Sequence, residues 1–305
     1  MMVTPLQLAC GVAADLLLGD PRWMPHPIVG VGNLAAWMER VWRRPALPLR
    51  AAGIGAWCSV VGVSCGLVYA SIRLLPEPFI QIYWIYSLLA LRSLDDHAMA
   101  VVKPLRDGEL VAARQAVGRI VGRDVESMDE RGVTRAMLET VAENLSDGVI
   151  APLFWLVLGG PVAMAAYKAI NTMDSMFGHK NKRYLEFGWC AARMDDLANL
   201  VPARLTAGLI SLVAAVWPGM SFPASARAIW RDAHLQPSPN SGYPEAAAAG
   251  ALGVQLGGVN FYRGVRSEKA LLGENSRPLD WRAYSGMRVL LYGSTVLLVG
   301  VALWL

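Results

Sequence analysis

Glu139, Glu143 and Asp147 recur at i, i+4 and i+8, a spacing that lines three carboxylates along one helix face with Asn144 beside them. Like charges so placed repel, and this face runs straight into an uncharged segment, where an ionised carboxylate is costly unless paired or bound to metal. A second set follows: Asn171, Asp174 and Ser175 at i, i+3 and i+4, then Gly178-His179-Lys180-Asn181-Lys182, whose glycine and lysines can hold phosphate. Arg193, Asp195, Asp196 and Asn199 form a third, with Asp195 and Asn199 at i, i+4. Oxygen donors without sulfur suit a hard cation such as Mg²⁺, commonly held by one or two carboxylates plus substrate phosphate. On a solvated helix each set alone would be an acidic face with no function. Three sets around one apolar element point to a site.

That element is Gly148 to Tyr167, 20 residues without a charge. At ~1.5 Å per residue it matches a ~30 Å hydrocarbon core, but a full crossing would part its two polar flanks. Gly159-Gly160-Pro161 stands at its midpoint and readily breaks a helix. A re-entrant hairpin that keeps both flanks on one side is therefore expected, provided protein covers the freed backbone groups.

The rest of the chain reads as support for this arrangement. With 54% hydrophobic and 17% charged residues and a mean hydropathy of +0.36, it is a membrane protein in composition. The net charge of +4 comes from dispersed basic residues, which argues against nucleic acid as a partner and fits the basic bias of cytoplasmic loops. The four cysteines have no zinc or redox spacing and read as inert thiols. The amino terminus lacks a basic flank before its apolar stretch, so a retained segment in the cytoplasmic membrane is expected.

Residues 3–19 read as a marginal span or interfacial helix. Pro21, Pro25 and Pro27 make 19–34 a loop that presents His26 rigidly between two prolines. Ala51 to Ile72, with 22 uncharged residues behind four arginines, is the clearest span. Phe79 to Leu91 would return the chain as the second arm of a hairpin. Residues 92–147 form a cytoplasmic helical segment; Leu94, Ala98, Val101 and Leu105 share one face, and a second helix covers 108–121. Arg123 and Asp124 read either as an ion pair or as a phosphate-binding arginine. Leu205 to Ala226 is a span or hairpin broken at Trp217-Pro218-Gly219, residues 226–262 are a polar turn and a helix of small residues, and Val289 to Leu305 is an anchor. No strand pattern of useful length stands out. The fold class expected is all-α: one polytopic helical membrane domain over 1–305, with re-entrant or broken helices. No phosphate loop, GxSxG elbow, HExxH or paired zinc motif is present.

DPRWMPHPIVGVG (Asp20 to Gly32), VGRD (Val121 to Asp124), ETVAENLSDGVIAPLFW (Glu139 to Trp155), YKAINTMDSMFGHKN (Tyr167 to Asn181), ARMDDLANLVPARLTA (Ala192 to Ala207) and SPNSGYPEAAAAGALGVQLGG (Ser238 to Gly258) resemble, in order, the motifs of the CobD/CbiB family of cobalamin-biosynthesis membrane proteins, adenosylcobinamide-phosphate synthases. The resemblance implies an ATP- and Mg²⁺-dependent ligase that joins adenosylcobyric acid to aminopropanol phosphate or a related amino-alcohol phosphate. It implies Asp174, Asp195 and Asp196 as Mg²⁺ ligands, and Glu139 or Glu143 as base, with Asp147 in the same catalytic row. Arg123, Lys180 and Lys182 would bind phosphate; His26, Asn240 and Glu245 would contact the corrinoid or amino-alcohol; Asn144, Asn171 and Arg193 would assist in substrate binding. It also implies a bilayer setting with the site facing the cytoplasm, and allows a homo-oligomer or a complex with other cobalamin-assembly enzymes. The competing class is a transporter or binding protein for a corrinoid or amino-alcohol phosphate, in which membrane carboxylates line a pathway.

Overall fold

The structure, a computed structural model, describes residues 3–21, 23–179 and 181–304. Helix α1 (Pro5–Leu18) starts where Thr4 and Gln7 close a reciprocal capping box and stops at Gly19. Helix α2 (Pro27–Trp42) begins inside the stretch expected to be a loop. Pro27 occupies the first turn, where its missing amide hydrogen costs nothing, and the Nδ1 of His26 accepts from the Ile28 amide at 3.2 Å. Three prolines in seven residues thus launch a helix, and the loop ends at His26. The clear span is α3 (Leu49–Leu74). The run read as the second arm of a hairpin is α4 (Glu77–Leu88); its 12 residues cover about 18 Å, too short to cross.

Helices α5 (Leu91–Arg106), α6 (Leu110–Val117) and α7 (Glu130–Leu145) follow, and Leu94, Ala98, Val101 and Leu105 all lie on the buried face of α5 as their spacing predicts. A π-helical turn, Ser146–Ile150, joins α7 to α8 (Ala151–Phe177). Then come α9 (Trp189–Ala198), α10 (Leu200–Val216) and α11 (Phe222–Asp232), the last two separated at Trp217-Pro218-Gly219. The helix of small residues is α12 (Gly242–Leu252), almost wholly buried. It does not continue to Tyr262: strands β1 (Leu256–Tyr262) and β2 (Val265–Leu272) pair antiparallel across an Arg263-Gly264 turn whose positive φ values, 52° and 77°, are those of a tight hairpin. Helix α13 (Ala283–Trp304) ends the chain. Among the described residues the protein is all-α apart from this hairpin.

Among the described residues, three helical stretches are long and apolar enough to cross a membrane: Leu49–Leu74, Glu130–Phe177 and Ala283–Trp304; α9 and α10 counted as one broken span would make a fourth. Glu130–Phe177 has 48 residues, about 72 Å if straight and more than twice the hydrocarbon thickness, so it must break. It does so at Gly159 (φ −146°, ψ 16°) and Gly160 (φ 71°, ψ −167°), and the ends of the uncharged run meet: the Tyr167 hydroxyl oxygen lies 3.4 Å from the Asp147 carbonyl oxygen. A straight helix would hold those residues about 30 Å apart. The run is a hairpin.

Gly160 occupies backbone space almost closed to other residues, so Gly160→Ala is expected to cost on the order of 1–3 kcal/mol. Gly208 supplies a control of opposite sign. It lies inside α10 with nothing within 4 Å of an added Cβ, and alanine there should leave thermal stability unchanged or slightly raised. Melting of the two purified variants checks both; equal effects would remove the strain argument.

The chain forms two compact units. The first comprises 1–90, 147–200 and 299–305, and the second 91–146 and 201–298. In the first, Ala52, Ala56 and Val60 of α3 pack with Met173 and Phe177 of α8 and with Phe187 and Ala191. In the second, α11 folds back on α10, where the Ser211 and Ser225 hydroxyls lie 2.9 Å apart, and α12 packs on α11 around Ala228, Ala233 and Ala246.

Candidate active site

In the first unit the three polar sets each send a residue to one cluster. The hairpin returns α8 so that Tyr167, Lys168 and Asn171 face the π-turn that carries Asp147, while α9 brings Asp195, with Asn199 at its end. The Asn171 amide nitrogen donates to both carboxylates, 3.3 Å from Asp147 Oδ2 and 3.2 Å from Asp195 Oδ1. Lys168 Nζ lies 3.4 Å from the Asp147 carbonyl. Buried Asn199 is fixed from both ends: it accepts from the Tyr167 hydroxyl at 2.8 Å and donates to Asp195 Oδ2 at 3.0 Å. Trp155, on the first arm of the hairpin, donates to the Ala198 carbonyl at 3.2 Å and ties the arm to the end of α9. Two carboxylates thereby converge on a single amide in a scaffold whose other polar groups are bonded.

The remaining first-unit candidates have these further contacts. Asp196, half-buried on α9, faces the exposed Arg193 at 3.8 Å. The Asp174 carboxylate lies over Gly178, where an added Cβ would meet its Oδ1 at 1.9 Å. His26 caps α2 and its Nε2 is 3.2 Å from Asp20. Lys182 is exposed, and Lys180 lies outside the described residues. Among the described residues no three Asp, Glu, His or Cys side chains gather into a metal cage. Two carboxylates on one amide offer oxygen donors of the kind a hard cation takes. A cavity of about 450 Å³ lies against the cluster, apolar in most of its wall, with His26, Ser64 and Lys168 as polar groups.

The second unit holds a different network. Arg123 and Glu139, only 6% and 2% exposed, pair at 2.5 Å. Arg123 also donates to Asn260 Oδ1 at 2.6 Å, and the second Glu139 oxygen accepts from the Gly257 amide at 2.7 Å. Arg135 reaches Asn260 and the Val259 carbonyl. Asp124 is not the partner of Arg123: it accepts from the amides of Arg263 and Gly264 at 2.9 and 2.7 Å and holds the hairpin turn. Asn144 donates back to the Thr140 carbonyl of its own helix, while Glu143 is exposed. Buried Asn240 accepts from Arg204, whose guanidinium stacks on Tyr243.

Glu245 is buried on α12 with Gln236 as its donor at 3.3 Å, and its other oxygen has no hydrogen-bond partner among the described residues. Burial, reinforced by the charges of Glu143 and Glu139, pushes its carboxyl well above the ordinary range; Lys269 and Arg123 only partly offset this. Burial pulls the Lys269 ammonium down, but Glu245, Glu139 and Glu143 outweigh it and hold its pKa up. A carboxyl raised in the folded state binds protons the unfolded chain has released, so its contribution to stability falls as pH climbs above the ordinary glutamate range. Glu245→Gln should flatten that part of the stability profile, read as melting temperature from pH 5 to 8. An unchanged slope would refute the assignment.

The sequence reading passed over Lys168, Tyr167, Arg135, Asn260, Gln236 and Lys269. Lys168 carried a signal, as the first charge after the uncharged run. Gln236 meets Glu245 only nine residues on, whereas Asn260 acquires its role from a distant partner, 137 residues from Arg123.

The model of the CobD/Cbib protein family matches residues 8–290. The cobalamin biosynthesis protein CobD of Pelobacter propionicus is 45% identical over 305 residues, covering 98% of this chain and 94% of the relative. That of Geobacter metallireducens is 46% identical, covering 95% and 93%, and that of Klebsiella pneumoniae subsp. pneumoniae is 41% identical, covering 95% of each. No solved structure matches the chain.

Proposed function

The chain belongs to the CobD/Cbib protein family, and on that premise we propose that its part in cobalamin biosynthesis is the amide-forming step joining adenosylcobyric acid to aminopropanol phosphate or a related amino-alcohol phosphate. The observation that carries this reading is the convergence of Asp147 and Asp195 on Asn171 beside Lys168. A carboxylate does not condense with an amine at neutral pH, so ATP as co-substrate would turn it into an acyl phosphate or adenylate. Mg²⁺, held by Asp195 and a substrate phosphate, would neutralise phosphate charge. The attacking amine must lose a proton, and we assign it to Asp147, with Glu143 as the alternative acceptor. Lys168 offers positive charge where phosphate would lie; Lys180, Lys182 and Arg193 would add to it. His26, Asn240 and Glu245 remain the proposed contacts to the corrinoid or amino-alcohol, and Asp174 and Asp196 lesser aids to the cation. The setting is a cell membrane crossed several times, with the site turned to the cytoplasm.

Purified protein incubated with adenosylcobyric acid, aminopropanol phosphate, ATP and Mg²⁺ should yield a corrinoid heavier by the amino-alcohol phosphate less one water. Unchanged corrinoid mass, with the protein folded and each reagent verified, would overturn the proposal.

A further inference from the structure

Two cavities in the second unit run together along α13. One, of about 550 Å³, lies at the start of the helix, where Arg277, Arg282 and Asp280 face Trp217. The other, of about 540 Å³, is apolar: Val213 and Val216 of α10 oppose Val289, Val296 and Leu297 of α13, with Arg288 at its rim. Trp217, Ser285 and Val289 line both, so a basic pocket passes directly into an apolar groove.

The charges are unevenly matched. Arg282 pairs with Asp280 at 3.1 Å, and Arg288 with buried Asp95 at 2.8 Å, a carboxylate also held by Tyr284 and Tyr292. Arg277 is exposed and has no ion pair or side-chain hydrogen bond among the described residues. With Arg282 matched by Asp280, the pocket keeps the positive charge of Arg277, which has no acidic partner among the described residues. Trp217 and Trp281, the latter under the Arg282 guanidinium at 4.8 Å, are amphipathic rings of the kind that settle at the edge of a bilayer. Helix α13 is one of the stretches long enough to cross that bilayer, and Val296 is 68% exposed on it.

We propose that this groove seats one anionic phospholipid of the surrounding bilayer, its phosphate on Arg277 and Arg282 and an acyl chain along Val213, Val289 and Val296. The occupant needs both halves. A soluble phosphate satisfies the arginines but leaves the apolar groove empty, about 12 Å of helix from Val289 to Leu297. A neutral lipid fills the groove but leaves Arg277 without a counter-charge. The inference rests on the membrane setting of α13 and not on the reaction proposed above.

The full-length protein, purified in a non-ionic detergent, would be titrated with dioleoyl phosphatidylglycerol, dioleoyl phosphatidylcholine or inorganic phosphate, with melting temperature and native mass spectrometry as readouts. Phosphatidylglycerol should raise the melting temperature saturably by several degrees and leave one lipid bound, while the other two additions should not. Arg277→Ala should raise the half-saturating lipid concentration about tenfold, as should Val296→Trp, which obstructs the apolar half. Both positions are exposed, so each variant should melt within a degree or so of the parent without lipid. Equal protection by phosphatidylcholine would overturn the proposal, as would equal protection by inorganic phosphate or unaltered phosphatidylglycerol binding in both variants.

Discussion

Asp195→Asn is expected to lower the rate of amide formation by at least about 100-fold, and Asp147→Asn by a similar factor, while Asp196→Asn stays within a few-fold of the parent. The three substitutions remove the same charge from neighbouring stretches of chain, so the difference comes from where each carboxylate points. Both oxygens of Asp195 accept from amides, one from Asn171 and one from Asn199. Asparagine at 195 turns one acceptor into a donor facing a donor. Asn199 cannot rotate to relieve this, because its own oxygen is held by Tyr167. At 147 the substitution removes the proposed proton acceptor and the second carboxylate on Asn171. Asp196 is half-buried on α9 and pairs at 3.8 Å with the exposed Arg193, so its charge is partly screened by solvent. Initial rates with saturating substrates, on variants whose melting temperatures match the parent, separate the cases. A Asp147→Asn/Asp195→Asn double variant with full turnover would sink the assignment. A large loss in Asp196→Asn would move the cation toward the outer face of α9.

Part of this arrangement could be read before any coordinates. Uncharged length alone located α3 and α13, and Gly-Gly-Pro at the middle of the run from 148 to 167 called for a break that the hairpin supplies. The geometric reason was sound: polar groups flanking an apolar element need a fold that reunites them. The hairpin does so for Asp147, Asn171 and Asp195, which lie 24 residues apart in successive steps. What stayed hidden depended on partners remote in sequence. The β-hairpin shows little alternation because Gly257 and Gly258 open its first strand, and the Gly257 amide is held by Glu139, 118 residues away. Pro27 was counted as a helix breaker, although the same lack of an amide hydrogen suits the first helical turn. Arg123 has an acidic neighbour in Asp124, yet that carboxylate serves the turn of the β-hairpin and Arg123 pairs with Glu139 instead. Adjacency on the chain says little about which charges meet.

Arg123→Ala is expected to destabilise the protein by about 3–5 kcal/mol, the cost of leaving a buried carboxylate without its partner, and to lower its melting temperature by roughly 10 °C. Glu139 would retain the Gly257 amide, but its nearest remaining cation would be Arg135 Nε at 3.9 Å. Asn260 Oδ1 would lose the 2.6 Å bond from Arg123 and retain the 3.2 Å contact from Arg135. Strand β1 would then lose its tie at Asn260 to the segment preceding α7. Arg123→Lys keeps the charge and not the two-pronged donor, so it can serve Glu139 or Asn260 but not both, and its loss should be intermediate. Replacing both partners, as in Arg123→Met with Glu139→Leu, orphans no charge and should recover much of the stability lost in Arg123→Ala. The measurement also decides between the two roles open to this arginine. A structural partner of Glu139 moves the melting temperature and leaves the KM for the amino-alcohol phosphate nearly constant in whatever fraction stays folded. A phosphate ligand, as the family resemblance implies, would raise that KM while the melting temperature barely shifts, and the double replacement would then restore nothing.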